Sequence, residues 1–501
     1  MKYLKKHFGI ALLLLLLASL FLPSCSTNED SSSSSTTATT TDNTTTTDNT
    51  TTTVTCPSSR TLTASTKVPL LLVRVQYADA TFQSSETTWA DKMFGTSDGQ
   101  MNHYLDETTY GKYQFTPAAE TSGCTDDGVV TVTMSGNHPN TQRDSWACYA
   151  SAAITATDSS VDFSAYDNDS NGKLSVTELQ VIFLVAGGES ATSLNYPGGV
   201  WAMAGSLDCD ADLDGIVRVE EGESFMSLDN VSLLDSVNYG QNGFSQFGER
   251  QGSISKNWDA TIGVMAHELG HAYFLLPDLY CTSGTCAGIG NFGLMGGGAW
   301  GYKSSSEYAG VTPVHFSAWA KEKLSICTPQ TIASGTNSIT LPAVYQSSIH
   351  AASCGIYKAS TSTSGEYFLF ENRSPGGYDR GLYFIILYGS ENSIYLNNDS
   401  LYTGGVAIWH VKDILSSCFS YTSNNCETQS PPLVDLEEAN NADLDNGSSN
   451  GRTTHLFYSA NSATFDNSST PDSKLYDNSS SGISATSISA AGDSMTLTIS
   501  K

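Results

Sequence analysis

Ile262-Gly-Val-Met-Ala-His267-Glu268-Leu-Gly-His271 decides the reading of this chain. Residues four apart on an α-helix lie one turn above another on the same face, so His267 and His271 present two imidazoles to a single metal ion. Glu268, beside the first histidine, is placed to take a proton from a water on that metal. HExxH on a helix is a signature of zinc hydrolases that use the glutamate as general base. A pattern with three fixed positions also arises by chance, so its surroundings carry the decision.

The chain continues Ala272-Tyr-Phe-Leu-Leu-Pro277-Asp278-Leu-Tyr280. Pro277 disfavours helical geometry at Leu276, which predicts that a helix over 258–275 ends there. The turn then brings Asp278 back as a third, oxygen ligand. Beyond it, Gly290-Asn-Phe-Gly-Leu-Met295-Gly-Gly-Gly-Ala-Trp300 reads as a glycine-rich tight turn that sets Met295 beneath the two histidines. A plain flexible loop is the competing reading. His315 and His410 stand alone among apolar neighbours and read as core histidines, and Asp443 and Asp445 as a solvated acidic loop.

Residues 1–25 have the form of a bacterial export signal, with Lys2, Lys5 and Lys6 ahead of an apolar run from Ile10 to Leu22 that is short for a membrane span. Leu22-Pro23-Ser24-Cys25 resembles a lipobox, which makes Cys25 the expected site of lipidation; an ordinary secretory signal is the alternative. Residues 26–55 are almost wholly Ser, Thr, Asp and Asn, with no apolar surface to bury, and read as a disordered tether. Ten cysteines follow Cys25, an even number that suits disulfides in an exported protein. Sequence proximity pairs Cys281–Cys286, Cys418–Cys426, Cys124–Cys148 and Cys327–Cys354, leaving Cys56–Cys209. The net charge of −28 argues against a nucleic-acid partner and suits a calcium-rich extracellular setting.

Two acidic loops fit the calcium-loop pattern. In the first, Asp167, Asp169, Asn171, Ser175 and Glu178 supply oxygens, Lys173 its carbonyl, and Gly172 the sharp turn. The second offers Asp210, Asp212, Asp214, the carbonyl of Ile216, and Glu221, but Arg218 stands where a water or oxygen ligand is usual and Glu220 competes with Glu221. An Asx-rich turn is its alternative. The flanks form poor helices, so both loops read as structural clamps.

Residues 69–77, 129–134 and 179–185 read as strands, and the polar stretch 87–104 as helix. Thr312-Pro313 reads as N-cap and first residue of a helix through Leu324. After Pro329, short strands at 339–344, 366–371, 382–387, 406–411 and 495–499 are separated by Gly, Asn, Ser and Asp. This spacing suggests a β-sandwich-like C-terminal part.

HELGH, LPDLY, GIGNFGLMGGGAWG and Pro313-Val-His-Phe-Ser-Ala-Trp-Ala-Lys together resemble the immune inhibitor A family of secreted bacterial metallopeptidases. So do Tyr110-Gly-Lys112, the run from Asp162 to Asp169, Glu366-Tyr-Phe-Leu-Phe-Glu-Asn-Arg373 and Gly404-Gly-Val-Ala-Ile-Trp-His410. The resemblance implies an α+β fold: a metzincin-like domain over 56–330, with a twisted sheet and an active-site helix, ahead of a β-rich region over 331–501. It implies zinc on His267, His271 and Asp278, Glu268 as general base, Met295 as the Met-turn residue, and protein or peptide substrates for a monomeric endopeptidase. One departure stands out. The family spacing is HExxHxxGxxD, whereas here Asp278 lies one residue further on, Phe274 replaces the glycine, and Leu275 is neither Gly nor Asn. A slightly longer last helical turn would absorb the insertion. The rival is an inactive zincin-like surface-binding protein stabilised by calcium, which predicts loss of the base or a ligand; Glu268 and both histidines are present.

Overall fold

The apolar run after Thr66 builds the middle of the main sheet. The computed structural model describes residues 56, 61–140, 146–191, 199–207, 209, 227–233, 243–252, 257–282, 284–304, 306–346, 353–383, 402–413, 431–440 and 443–501. The export signal with Cys25, the tether, the loop Asp210–Glu221 and the pair Cys418–Cys426 lie outside these residues.

In chain order the first elements are β1 (Thr66–Gln76), α1 (Glu86–Phe94), α2 (Met101–Thr108), β2 (Tyr113–Pro117), β3 (Val129–Thr133), α3 (Trp146–Thr155), β4 (Lys173–Leu174) and β5 (Gln180–Gly188). Then come β6 (Met203–Gly205), β7 (Ser227–Leu228), β8 (Val231–Leu233), β9 (Phe244–Gly252), β10 (Asn257–Asp259) and α4 (Ile262–Ala272). The main sheet runs β10-β9-β5-β1-β2, with β3 continuing β2's side of β1 and β6 antiparallel on β9. β1, β2, β3, β5 and β9 are parallel. Parallel strands are covered on both faces, which is why β1 and β5 are nearly continuous apolar runs. Leu70, Leu72, Ile182 and Leu184 face one core with α1, α2 and α4, while Leu71, Val73, Phe183 and Val185 face a second core with α3.

The remaining elements are α5 (Ala318–Lys323), β11 (Gln330–Thr331), β12 (Thr336–Pro342), β13 (Tyr357–Ser360), β14 (Glu366–Asn372), β15 (Val406–Lys412), β16 (Val434–Leu436), β17 (Ser484–Thr486) and β18 (Ser494–Ser500). They form a five-stranded sheet, β11-β13-β14-β15-β16, and a three-stranded one, β12-β18-β17. Phe368 and Phe370 of β14 share an apolar layer with Leu341, Met495 and Leu497 of the smaller sheet. On the opposite face, Tyr367, Leu369 and Trp409 enter the core that also holds α4 and Met295. The fold is mixed, with several sheets and few helices, as an α+β reading expects.

Several boundaries differ from expectation. The stretch 87–104 is two helices, because Gly95 ends the first and the Gln100 side chain accepts from Ser97 N at 2.8 Å in the turn between them. Asn257–Asp259 joins the sheet edge against β9, so α4 begins only at Ile262. The helix read from Thr312 starts at Ala318, capped by Ser317. Val314 and Phe316 are fully buried ahead of it, outside any helix, and their burial overrides the Thr-Pro signal. The start of the expected strand 382–387 is helical at 381–383, its remainder lying outside the described residues.

Two disulfides follow proximity, Cys281–Cys286 and Cys327–Cys354. The others are exchanged: Cys56 pairs with Cys124 and Cys148 with Cys209, at Cα separations of 5.4 and 4.4 Å. Cys148 rides on α3, whose Ser151 hydroxyl bonds Leu207 O, and that packing delivers it to Cys209. Element packing, not sequence distance, sets the partner.

Candidate metal centre

α4 forms because Ile262, Met265, Ala266, Leu269 and Ala272 recur at helical spacing and are buried together. Its first turn is held from outside, with Gly263 N donating to Gly310 O at 2.9 Å and Thr261 Oγ1 to Ala309 O at 2.8 Å. Gly263 has no room for a side chain, since a Cβ there would stand 1.9 Å from Ala299 O.

The last turn shows how the extra residue is accommodated. Leu269 O accepts from Tyr273 N at 2.9 Å and also from Phe274 N at 3.1 Å, a bond of the wide π type. Leu275, 41 % exposed, then takes a left-handed φ of 56°, and Leu276 N returns to Gly270 O at 2.9 Å. A left-handed residue closes many helices, although glycine usually fills the position.

This reversal brings Asp278 to both histidines. Its Oδ1 lies 3.0 Å from His267 Nε2 and 3.1 Å from His271 Nε2, and the two Nε2 atoms are 3.2 Å apart. His267 Nδ1 donates to Leu294 O at 3.0 Å, and His271 Nδ1 to Leu276 O at 2.7 Å. With both Nδ1–H groups committed, a neutral imidazole turns its Nε2 lone pair toward Asp278. Three lone-pair donors then face one another, an arrangement that calls for a cation. For a tetrahedral zinc with bonds of about 2.0–2.1 Å, neighbouring ligand atoms sit about 3.3 Å apart, close to this triangle. Asp278 also draws positive charge onto the rings themselves. Burial opposes charge on His267 and His271, but Asp278 outweighs it and holds both pKa values above the ordinary imidazole value. Burial likewise favours neutral Asp278, yet the imidazoles hold it far below the usual carboxylate range.

Glu268 is buried beside His267 on α4. Met295 packs directly under the helix: a Cβ on Gly270 would stand 2.3 Å from its sulfur, so glycine between the histidines makes room for it. Leu279 N donates to Met295 O at 2.8 Å, tying the segment after Asp278 to the same turn. Tyr280 lies 6.2 Å from His267, ring to ring. The carbonyls of Leu276 and Leu294 escape any sequence reading, because every residue carries one.

The other predicted groups lie elsewhere. Asp167, Asp169 and Glu178 converge, with Gly172 at φ 77° as the loop requires. Here Asp167 accepts from Asn171 N and Gly172 N, at 3.0 and 2.9 Å, and Ser175 N and Oγ donate to Glu178. Asn171 Oδ1 accepts from Lys173 N at 2.8 Å. His315 and His410 are core residues, His315 bonded to Glu107 and His410 set between Glu366 and Glu437. Asp443 pairs with Arg452.

Two helix-borne imidazoles, an adjacent carboxylate and a third oxygen donor define a candidate metallohydrolase centre. The model of the immune inhibitor A peptidase M6 catalytic domain matches residues 241–327, which contain every one of these groups. Over this stretch the chain is similar to the immune inhibitor A peptidases, the family its motifs resemble. No curated protein matches the chain.

Proposed function

We propose that the protein is an exported zinc-dependent endopeptidase of extracellular proteins, tethered to the bacterial cell envelope through a lipid on Cys25. The observation that carries the reading is the triangle of His267, His271 and Asp278, whose donor atoms are 3.0–3.2 Å apart with both Nδ1 atoms committed elsewhere. When bound there, zinc supplies Lewis acidity and lowers the pKa of water at its open position. His267 and His271 hold the ion through Nε2, and the carbonyls of Leu294 and Leu276 keep the rings oriented. Glu268 takes the proton of the attacking water and delivers it to the leaving amine nitrogen. Calcium on Asp167, Asp169, Asn171, Lys173 O, Ser175 and Glu178 would stiffen the fold ahead of β5; the same role is proposed for the sequence Asp210–Glu221, which lies outside the described residues. Among the described residues no helix is long and apolar enough to cross a membrane; the anchoring proposal rests on the Cys25 lipobox.

Casein hydrolysis tests the reading. Glu268→Ala should retain stoichiometric zinc and lose about 10²–10⁴-fold in kcat. Full activity in a zinc-loaded Glu268→Ala protein would sink the mechanism. Metal-free but active wild type would sink the site.

A further inference from the structure

The sequence run Glu366–Arg373 plays no part in the chemistry above, yet it ends in a buried charge cluster that reaches the metal centre. Arg373 is completely buried at the end of β14. Its Nε and Nη2 donate to Asp379 Oδ2 and Oδ1 at 2.6 and 2.7 Å, a bidentate pair of the strong, orienting kind. Its Nη1 reaches Glu371 at 3.3 Å and also donates to Phe292 O, in the loop that carries Met295. Asp379 Oδ1 accepts from His315 N at 3.1 Å. His315 O accepts from Leu294 N at 3.2 Å, and Leu294 O is the acceptor that orients His267.

Two routes therefore lead from one guanidinium to the Met295 loop: one direct to Phe292 O, the other through Asp379 and the His315 backbone to Leu294. Glu371 completes the cluster, accepting from Trp409 Nε1 at 3.0 Å and lying 3.7 Å from Lys321 Nζ. Burying these charges is costly, and a buried ion pair is weak evidence for stability. Here it adds polar anchors on the backbone of a loop whose side chains Phe292, Leu294 and Met295 are packed in the core.

We propose that Arg373 and Asp379 are positioning residues for the metal centre: they lock the carbonyls of Phe292 and Leu294, and through Leu294 O the orientation and tautomer of His267. The inference rests on the metal-site reading above. It makes the five-stranded C-terminal sheet part of the peptidase site, although the family match ends at residue 327.

The test compares Arg373→Lys, Asp379→Asn and Asn372→Ala in the purified protein. Asn372, next to Arg373, bonds instead to Leu341 O and Gly492 O on the side of the smaller sheet, at 3.1 and 2.8 Å. It therefore reports loss of stability without loss of the link. Zinc affinity is read by chelator competition, ligand geometry by the visible bands of the cobalt-substituted protein, and folding by circular dichroism. Arg373→Lys keeps the charge but not the bidentate fork. It should weaken zinc binding by about 10–100-fold, as loss of partners behind metal ligands does, and shift the cobalt bands. Asp379→Asn should do the same to a smaller extent, and Asn372→Ala should leave affinity within about twofold. Folded Arg373→Lys protein with wild-type affinity and bands overturns the positioning role while leaving the site intact. Failure of both network variants to fold, with Asn372→Ala folded, also overturns it, because the cluster then serves the fold as a whole. Wild type that binds zinc no better than His267→Ala removes the site, and the proposal with it.

Discussion

The donor triangle and its support are built in opposite ways. The donors come from one continuous piece of chain, between His267 and Asp278, in which a helix and one reversal do all the placing. The groups that hold them are scattered from Glu107 through Leu294 and His315 to Arg373 and Asp379, and meet only because the five-stranded sheet packs against the α4 core. Chemistry that depends on local spacing is written in local sequence. Rigidity that depends on distant packing is not.

The comparison breaks most completely if the local piece loses a donor. Asp278→Ala leaves two imidazoles with nothing to close the triangle, so zinc content at equilibrium should fall well below one per chain and caseinolysis to background. Metal analysis after dialysis measures this directly. Full retention of zinc would mean that another group supplies the third ligand and that the reversal after α4 has a different purpose.

This division explains what could be read in advance. His267, Glu268 and His271 stand at fixed helical spacing, and Met295 sits in an unmistakable glycine run. Even the displaced Asp278 carried its own answer, since an added residue in the last turn has few outlets, and the Phe274–Leu269 bond is the one taken. The helix expected from Thr312 failed for the opposite reason. Pro313 is a sound local start signal, but Val314 and Phe316 fill the core from a non-helical segment, and burial outweighs a cap. The pairings of Cys56, Cys124, Cys148 and Cys209 failed in the same way, decided by how α3 packs. Arg373 was visible as a motif residue, yet a charge says nothing of its role until its partners are placed.

A smaller effect separates the two ends of α4. Gly263→Ala would push a Cβ against a backbone carbonyl at 1.9 Å, and Gly270→Ala against the Met295 sulfur at 2.3 Å. Overpacking of this sort costs about 1–3 kcal/mol. Both variants should lower the thermal midpoint, Gly263→Ala the more, because a carbonyl held in its own loop yields less than a thioether. Zinc affinity should fall chiefly in Gly270→Ala, whose strain lies between the histidines. Equal loss of affinity in both would show that α4 transmits strain along its length and that the local piece is less self-contained than its hydrogen bonds imply.

The smallest effect has the opposite sign. Leu275 holds a φ of 56° with 41 % of its surface exposed, so it carries left-handed strain with little burial to offset it. That conformation costs a non-glycine residue about 1–2 kcal/mol, while glycine loses roughly 0.5–1 kcal/mol more than alanine in backbone entropy on folding. Leu275→Gly should therefore stabilise the protein by up to about 1 kcal/mol, read as a small rise in thermal midpoint, with zinc affinity unchanged. Because Leu275 N still donates to His271 O and Leu276 N to Gly270 O, the wide turn that delivers Asp278 is preserved. A fall in the midpoint would mean that the exposed leucine side chain packs more productively than its surface implies. An unchanged midpoint with weakened peptide hydrolysis would instead place Leu275 at the substrate, where strain is kept for function rather than for the fold.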